Sequence, residues 1–388
     1  MSDSFDKISQ QLKSRHRKSA RLKYISMGAL ALAAAFLLVF FADMLNKGLP
    51  AFQQALVNVE VNYTEEASTN GRAAIDSEIM SVVSRSVVRV IPLDMRNDPD
   101  LEGTTENRWV LASGEVDQYL KGNRVRLDDE QKAAIDQLVE EGQVAMRFNT
   151  TFFSRGDSKM PELAGIMSAV VGTVMTMIVT LAIAFPIGVM TAVYLEEFAP
   201  DNRLTQLIEI NINNLAAIPS ILFGLLGLAI FINFFGVPRS SPLVGGMTLA
   251  LMTLPVIIIS TRTALRSVPE SIRHAAFGVG CSRWQVVKDH VLPLAMPGIM
   301  TGSIIGLAQA MGETAPLIIV GMVAFIPDMT ASFTEAATVM PAQVFTWSGE
   351  PDRAFVEKTA GGILVLLAVL ISLNAFAVLL RKKFERRW

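Results

Sequence analysis

One stretch of this chain combines residues that can do chemistry with a setting that penalises them. Gln309-Ala-Met-Gly-Glu-Thr-Ala-Pro316 lies within an apolar run from Pro297 to Ile326. At the centre of a membrane helix an Asp, Lys or Arg costs roughly 2.5–3.5 kcal/mol on insertion scales, and a Glu belongs to the same class of penalty. In a helix, Gln309 and Glu313 share a face because they are four residues apart. Pro316 has no N–H, so it leaves the Gly312 carbonyl without its helical donor. Thr314 adds a hydroxyl. An amide, a carboxyl, a hydroxyl and a free carbonyl are thereby expected close together, a set able to hold a cation, accept a proton or hydrogen-bond a polar solute. Helix packing with a proline kink is the competing use. Packing suits Thr314 and Pro316 better; Glu313 is read as lining a path, since ionisable groups at membrane depth usually face a bundle interior.

The elements that must position these groups are membrane spans. The chain has 388 residues, 51% hydrophobic and 18% charged, against about 25% charged in soluble domains. No Asp, Glu, Lys or Arg occurs in 24–42, 163–195, 210–238, 240–261, 290–312 or 359–380. A bilayer core takes about 20 apolar residues. The expected fold is therefore an all-α polytopic membrane protein of six helices, near Ile25–Leu45, Pro161–Leu195, Leu215–Phe235, Leu243–Leu265, Pro297–Ile326 and Thr359–Leu380. The basic segments Lys13–Lys23 and Arg381–Trp388 flank the first and last spans, which places both termini in the cytoplasm. A basic arm this close to a span is not read as a nucleic-acid binder, and no clear small-residue cleavage site marks a signal peptide.

The expected organisation follows. Residues 1–24 are a cytoplasmic basic N-terminus, 25–46 the first transmembrane helix, and 47–160 an extracytoplasmic domain; 161–380 form a core of five helices, with a cytoplasmic loop at 266–292, and 381–388 a cytoplasmic tail. The outward insertion reads as a small α+β domain. Ser81–Val90 predicts a strand, and Asp128–Gly142 a helix capped by Asp128 with an apolar face of Ala134, Ile135 and Leu138. The single cysteine, Cys281, lies elsewhere, so no disulfide supports the insertion. A spacer or docking surface is its default role. No catalytic or metal-ligating set is read anywhere in the chain.

The loop between the fourth and fifth helices predicts two short helices, 270–279 and 282–289, joined by a turn at Gly280 and stopped by Pro293 and Pro297. Ala275 and Ala276 would make a small-residue knob that another protein's groove accepts; an amphipathic loop on the lipid surface is the alternative.

At this point the sequence resembles a family. Ala275-Ala276, three residues, Gly280, then Leu292-Pro293 is similar to the "EAA" loop of ABC importer permeases, with His274 where that motif usually has Glu. "NNLAAIPSILFGLLGL" (213–228), "GLAQAMGETAPL" (306–317) and "RFNTTFFSRGDSKMPELAGI" (147–166) look like phosphate importer permeases of the PstA type. The resemblance covers Arg147 to the C-terminus; the first helix and outward domain resemble a longer subgroup through weaker motifs.

The resemblance implies a permease subunit for inorganic phosphate in the cytoplasmic (inner) membrane. Its partners would be a second permease subunit, two ATPase subunits, an extracytoplasmic phosphate-binding protein and membrane lipid, with no nucleic acid. It implies a coupling role for His274, Ala275, Ala276, Gly280, Leu292 and Pro293, and a substrate path through Gln309, Glu313, Thr314 and Arg262. The family usually has Arg where this chain has Gln309, which leaves Arg262 as the intramembrane anion candidate or, alternatively, a snorkelling side chain. Glu313 would hold a cationic side chain or accept the proton of hydrogen phosphate, which sulfate lacks. No cofactor is expected in this chain: it has no Gly-Lys dipeptide and hence no phosphate loop, so ATP is used by the partner ATPase. The alternatives are a permease for another oxyanion (sulfate or molybdate) and a membrane sensor or regulatory scaffold.

Overall fold

The computed structural model describes residues 2–77 and 79–384. Met1, Glu78 and the end of the expected tail, Glu385–Trp388, lie outside the described residues. Helix α1 (Ser2–Gly48) carries the basic segment and the first apolar window on one helix of 47 residues, about 70 Å long at ~1.5 Å per residue. A bilayer core needs about 30 Å of that. Its side chains from Arg15 to Asp43 are exposed. An apolar helix without a protein cover on any side is suited to lipid.

The insertion follows. Strand β1 (Gln53–Asn62) buries Ala55, Val57, Val59 and Val61, the alternation a half-buried strand requires. It is the centre of a three-stranded antiparallel sheet, between β2 (Thr105–Leu111) and β3 (Val144–Phe148). Helix α2 (Val87–Asn97) precedes β2; α3 (Gly114–Leu120) and α4 (Asp129–Glu140) lie between β2 and β3. The expected strand over Ser81–Val90 is corrected here. Only Val83 makes a bridge, to Ala112, and the helix begins at Val87. Val87, Ile91 and Met95 recur every four residues and bury one helical face, which outweighs the β-branched composition. Asp128 does cap α4, in a reciprocal pair with Gln131. Ile135 is buried beneath that helix, whereas Ala134 is exposed.

Helix α5 (Thr150–Ser154) leads through a turn at Pro161–Leu163 into α6 (Met167–Val193), which ends in a π turn, Tyr194–Phe198. Helix α7 (Arg203–Ala216) precedes α8 (Ser220–Leu226, continued by a π stretch to Phe234) at a bend of 108°, so the expected third span, Leu215–Phe235, falls on α8 and begins at the bend. Pro219 cannot donate a hydrogen bond and disfavours helical geometry at Ile218, so α7 closes with the tight bonds Ala217 N–H to Asn214 O and Ile218 N–H to Leu215 O. Helices α9 (Pro242–Arg266) and α10 (Glu270–Gly278) come next.

Then α11 (Arg283–Gln285) runs through a π stretch (Val286–Val291) into α12 (Leu292–Gly312) as one 30-residue helix. The prolines were expected to stop the loop helix; instead the π stretch shifts the hydrogen-bond register just ahead of Pro293, and the helix continues. Short α13 (Ala315–Ile319), then α14 (Met340–Ser348) and α15 (Ala354–Phe384), complete the chain. The fifth span therefore stops at Gly312 rather than Ile326. Among the described residues, five helices are long and apolar enough to cross a membrane, and six if the bent pair is one span.

Close packing is set by small residues. Gly298, Gly302 and Gly306 recur every fourth residue on α12 and face Ala264, Ser260 and Thr253 of α9; a Cβ at Gly302 would lie 2.2 Å from the Ser260 Cβ. A Cβ added at Gly172 of α6 would likewise clash with the Thr338 carbonyl. Residues 320–339 are non-helical but anchored: Ser240 N–H donates to Val320 O, Ala337 N–H to Ser240 O, and Met340 N–H to Thr173 Oγ1.

Candidate functional site

Glu313 sits at a helix break. It has φ −77° and ψ 127°, an extended conformation, and its N–H closes the last turn of α12 onto Ala310 O. Thr314 starts the next turn, its carbonyl accepting from Ile318 N–H. Pro316 is in the first turn of α13, where a missing N–H has no consequence. The expected shared helical face of Gln309 and Glu313 is therefore corrected: the helix ends between them, and the Gly312 carbonyl is at a helix terminus rather than orphaned mid-helix. Gln309 is exposed; Glu313 and Thr314 are half-buried. Among the described residues none of these three side chains is hydrogen-bonded or ion-paired.

The break has a neighbour. Gly224 of α8 packs against Pro316, where an added Cβ would lie 2.8 Å from the proline Cα. Phe223, Ala310, Met311 and Leu317 share one apolar cluster, with Ile218 against it. The bend after α7 and the break after α12 thus flank the same core. Sequence reasoning missed this, because Ala217–Pro219 lies inside an apolar window and carries no polar marker.

At the other end of the Arg283–Gly312 helix is the loop. Gly280 adopts φ 88°, the left-handed conformation expected of its turn. Cys281 N–H reaches back to Ala276 O, and Ser282 caps the next helix in a reciprocal pair with Gln285. Ala276 is 5% exposed, in a cluster with Leu265, Val268, Val286, Val291, Ala295 and Ile299. It holds the loop together from inside and presents nothing outward. His274 and Ala275 are exposed, as are Phe277 (47%), Val279 (81%) and Trp284 (60%). The apolar knob is built by these side chains around the Gly280 turn. Leu292 and Pro293 are half-buried in the continuing helix.

Arg262 belongs to an ion-pair cluster. Its guanidinium donates to Glu196 Oε2 at 3.2 Å and Glu209 Oε1 at 2.6 Å, so two carboxylates already match its charge. Arg266 binds the other oxygen of Glu196 at 2.7 Å. Arg273 of α10 donates to Glu197 Oε1 at 2.7 Å and to the carbonyls of Leu265 and Val268, capping the end of α9. Its hydrogen bond to Glu197 raises the Arg273 guanidinium further above its usual range. Glu196, Glu197 and Glu209 were not singled out from sequence. The available signal was "YLEEFAP", adjacent carboxylates closing one apolar run while Arg262 and Arg266 close another.

A bundle of long apolar helices, two of its spans broken beside one apolar cluster and one of them joined to an exposed helix–turn knob, is the architecture of a polytopic membrane protein. Residues 184–388 match the binding-protein-dependent transport system inner membrane component family, and the chain belongs to that family. Residues 9–77 match a domain of unknown function, DUF3333. The chain is similar to phosphate transport system permease protein PstA 1 of Mycobacterium tuberculosis (strain CDC 1551 / Oshkosh), 30% identical over 59% of this chain and 75% of that one. It is also similar to PstA of Mycobacterium leprae (strain TN), 31% identical over 59% of this chain and 75% of that one. Among solved structures, an inward-facing MetNI methionine ABC transporter superposes with a TM-score of 0.46 at 17% identity, covering 57% of this chain and 98% of that chain.

Proposed function

We propose that this chain is one of two permease subunits of an ATP-driven importer that moves inorganic phosphate across the inner membrane. The observation that carries the reading is the unbroken helix from Arg283 to Gly312, with the exposed knob at one end and the Glu313 break at the other. A displacement imposed on the knob by an ATPase is transmitted along one rigid element to the candidate solute site. Transporters build midplane sites from discontinuous helices, and the two breaks beside the Phe223–Leu317 cluster fit that pattern. Among the described residues the side chains of Gln309, Glu313 and Thr314 lack partners, and in this reading they complete the path with a second permease. Glu313 is suited to take the proton of hydrogen phosphate. We assign Arg262 to the scaffold that fixes α9 against α6 and α7, and the oxyanion's cationic ligand to the partner permease.

In this reading the six spans include the bent α7–α8 pair. The amphipathic α7 lies along the cytoplasmic surface, where Glu209 meets Arg262. Residues 47–160 form the outward α+β insertion, and the termini are cytoplasmic. The coupling residues are His274, Ala275, Phe277, Val279 and Trp284, with Ala276, Gly280, Leu292 and Pro293 shaping their support. Hydrolysis of ATP belongs to the partner subunits.

Purification from native membranes should bring down a second permease and an ATPase. Vesicles of that complex should take up labelled phosphate in preference to sulfate and molybdate. Preferred uptake of another oxyanion would reassign the substrate, and recovery without any ATPase would favour a sensor or scaffold.

A further inference from the structure

Three arginines line a cleft on the seam between the insertion and the start of α15. Arg124 and Arg126 come from the irregular stretch between α3 and α4 and both line the cleft, with Val125 between them. Arg353 lines the cleft from the opposite wall, beside the first turn of α15. The cavity is about 460 Å³ and also contains Glu115 and Asp352. Those carboxylates have local tasks: Glu115 Oε2 accepts the Arg126 backbone N–H, and Asp352 Oδ1 accepts Ala354 N–H at the head of α15. The guanidinium groups have none. Among the described residues none of the three is hydrogen-bonded or ion-paired.

This contrasts with the floor of the same seam. One helical turn along α15, Glu357 accepts from Lys121 Nζ at 2.6 Å and from Gln118 Nε2 at 2.7 Å, and all three side chains are buried. The lower seam is locked by the Lys121–Glu357 pair, while the upper seam gathers three exposed arginines with two carboxylates, an excess of one positive charge, and pairs none of the guanidinium groups with a carboxylate. Guanidinium forks match oxyanions geometrically, and one tetrahedral anion can accept from several at once. A neighbouring cavity shares Arg124 and Arg353 and reaches Asn46 and Lys47 at the end of α1, which is also the end of a span.

We propose that this cleft binds a phosphate-type oxyanion that bridges Arg124 and Arg126 on the insertion to Arg353 on α15, completing the attachment of the insertion to the membrane core. Two sources supply that chemistry, free inorganic phosphate and the headgroup of an anionic phospholipid. The site is separate from the Glu313 break, and the proposal does not rest on the transported substrate being phosphate.

The test is hydrogen exchange of backbone amides 114–127 and 351–357 in the full complex, without any extracytoplasmic binding protein, in nanodiscs of zwitterionic or anionic lipid. Added inorganic phosphate should slow exchange in both segments in zwitterionic discs. Alternatively, anionic lipid alone should slow it, with phosphate adding nothing; that result assigns the headgroup as the source. Whichever ligand protects, half-protection should require about tenfold more of it in Arg353→Gln, and again in Arg124→Gln, since each variant loses a charge-assisted contact. Protection by neither ligand, unchanged half-protection in both variants, or protection only when a binding protein is added would each overturn the proposal, the last pointing to an acidic protein surface as the occupant.

Discussion

Glu313 is informative because its chemistry and its geometry were not equally visible. A carboxylate in an apolar run is legible from composition alone; that the helix stops at Gly312 is not, because Pro316 is compatible with either a kink or a fresh start two residues earlier. Extended Glu313 ends the α12 ladder with its N–H on Ala310 O, and among the described residues its side chain has no partner. Glu313→Gln keeps size and hydrogen bonding but removes the charge and the proton acceptor. Phosphate uptake in vesicles should fall on the order of tenfold, the worth of one charged hydrogen bond, with weaker exclusion of sulfate. Unchanged uptake and exclusion would return Glu313 to a packing role. The alanine pair in the loop gives a second contrast. Small adjacent residues look the same whether they face outward or inward, so the sequence could not separate Ala275 from Ala276. Ala275→Asp should leave a folded chain that no longer couples to ATP hydrolysis. Ala276→Asp buries a charge among Leu265, Val286 and Ile299 and should lower the yield of folded protein before any question of coupling arises. Equal behaviour of the two variants, measured by thermal unfolding and ATPase activity of the complex, would contradict this division.

At the scale of elements, the charge-free windows located every long span, because a bilayer leaves few alternatives to a helix with all its backbone bonds internal. What they could not show is where a helix bends. Pro219 and Pro293 are both prolines in apolar surroundings, yet one ends α7 and the other is absorbed after a π stretch. The difference depends on whether neighbours leave room for an altered register, which is a tertiary property. The strand expected at Ser81–Val90 failed for the opposite reason: residue preference was given more weight than the four-residue spacing of Val87, Ile91 and Met95. The α9–α12 contact can be tested directly. Gly302→Leu places a side chain where even a Cβ would lie 2.2 Å from the Ser260 Cβ. Overpacking of that kind costs about 1–3 kcal/mol, and the purified chain should unfold at lower temperature. Gly278→Leu, with open space at its Cβ position, should not. Similar losses in both would mean that the glycine stripe is not what sets the helix separation. Arg273→Ala removes the partner of Glu197 and the side-chain donor to the Val268 carbonyl, while Leu265 O keeps the Val268 N–H, a loss of about 1–3 kcal/mol that should appear as faster proteolysis of the α9–α10 connection. Unaltered cleavage there would show that the cap is dispensable.

Over the whole molecule, one contact sets how the two ends of the chain lie relative to the insertion. The end of α1 meets the beginning of α15: a Cβ at Gly48 would lie 2.6 Å from Leu364 Cδ1, and one at Gly361 would lie 2.7 Å from the Ala51 Cβ. The insertion is fixed at the same end through Lys121 and Gln118 to Glu357, and through Ser84 Oγ to Glu162. Helix α1 therefore runs toward the insertion and α15 runs away from it, so the N-terminal half of α1 and the C-terminal end of α15 emerge at the opposite end of the bundle. Both of those ends are basic, at Lys13–Lys23 and Arg381–Lys383. In the proposed topology, clustered Lys and Arg beside short flanking segments mark the cytoplasmic side, which would leave the insertion outside. An alkaline phosphatase reporter, active only after export, should therefore work when fused near Asn97 and fail when fused after Trp388. A reporter that fluoresces only in the cytoplasm should give the reverse pattern. The two fusions differ if the bent α7–α8 pair crosses once, because five crossings then lie between them. Matching sides would show that α7–α8 re-enters without crossing, and opposite sides with the signs exchanged would show that the basic ends face outward.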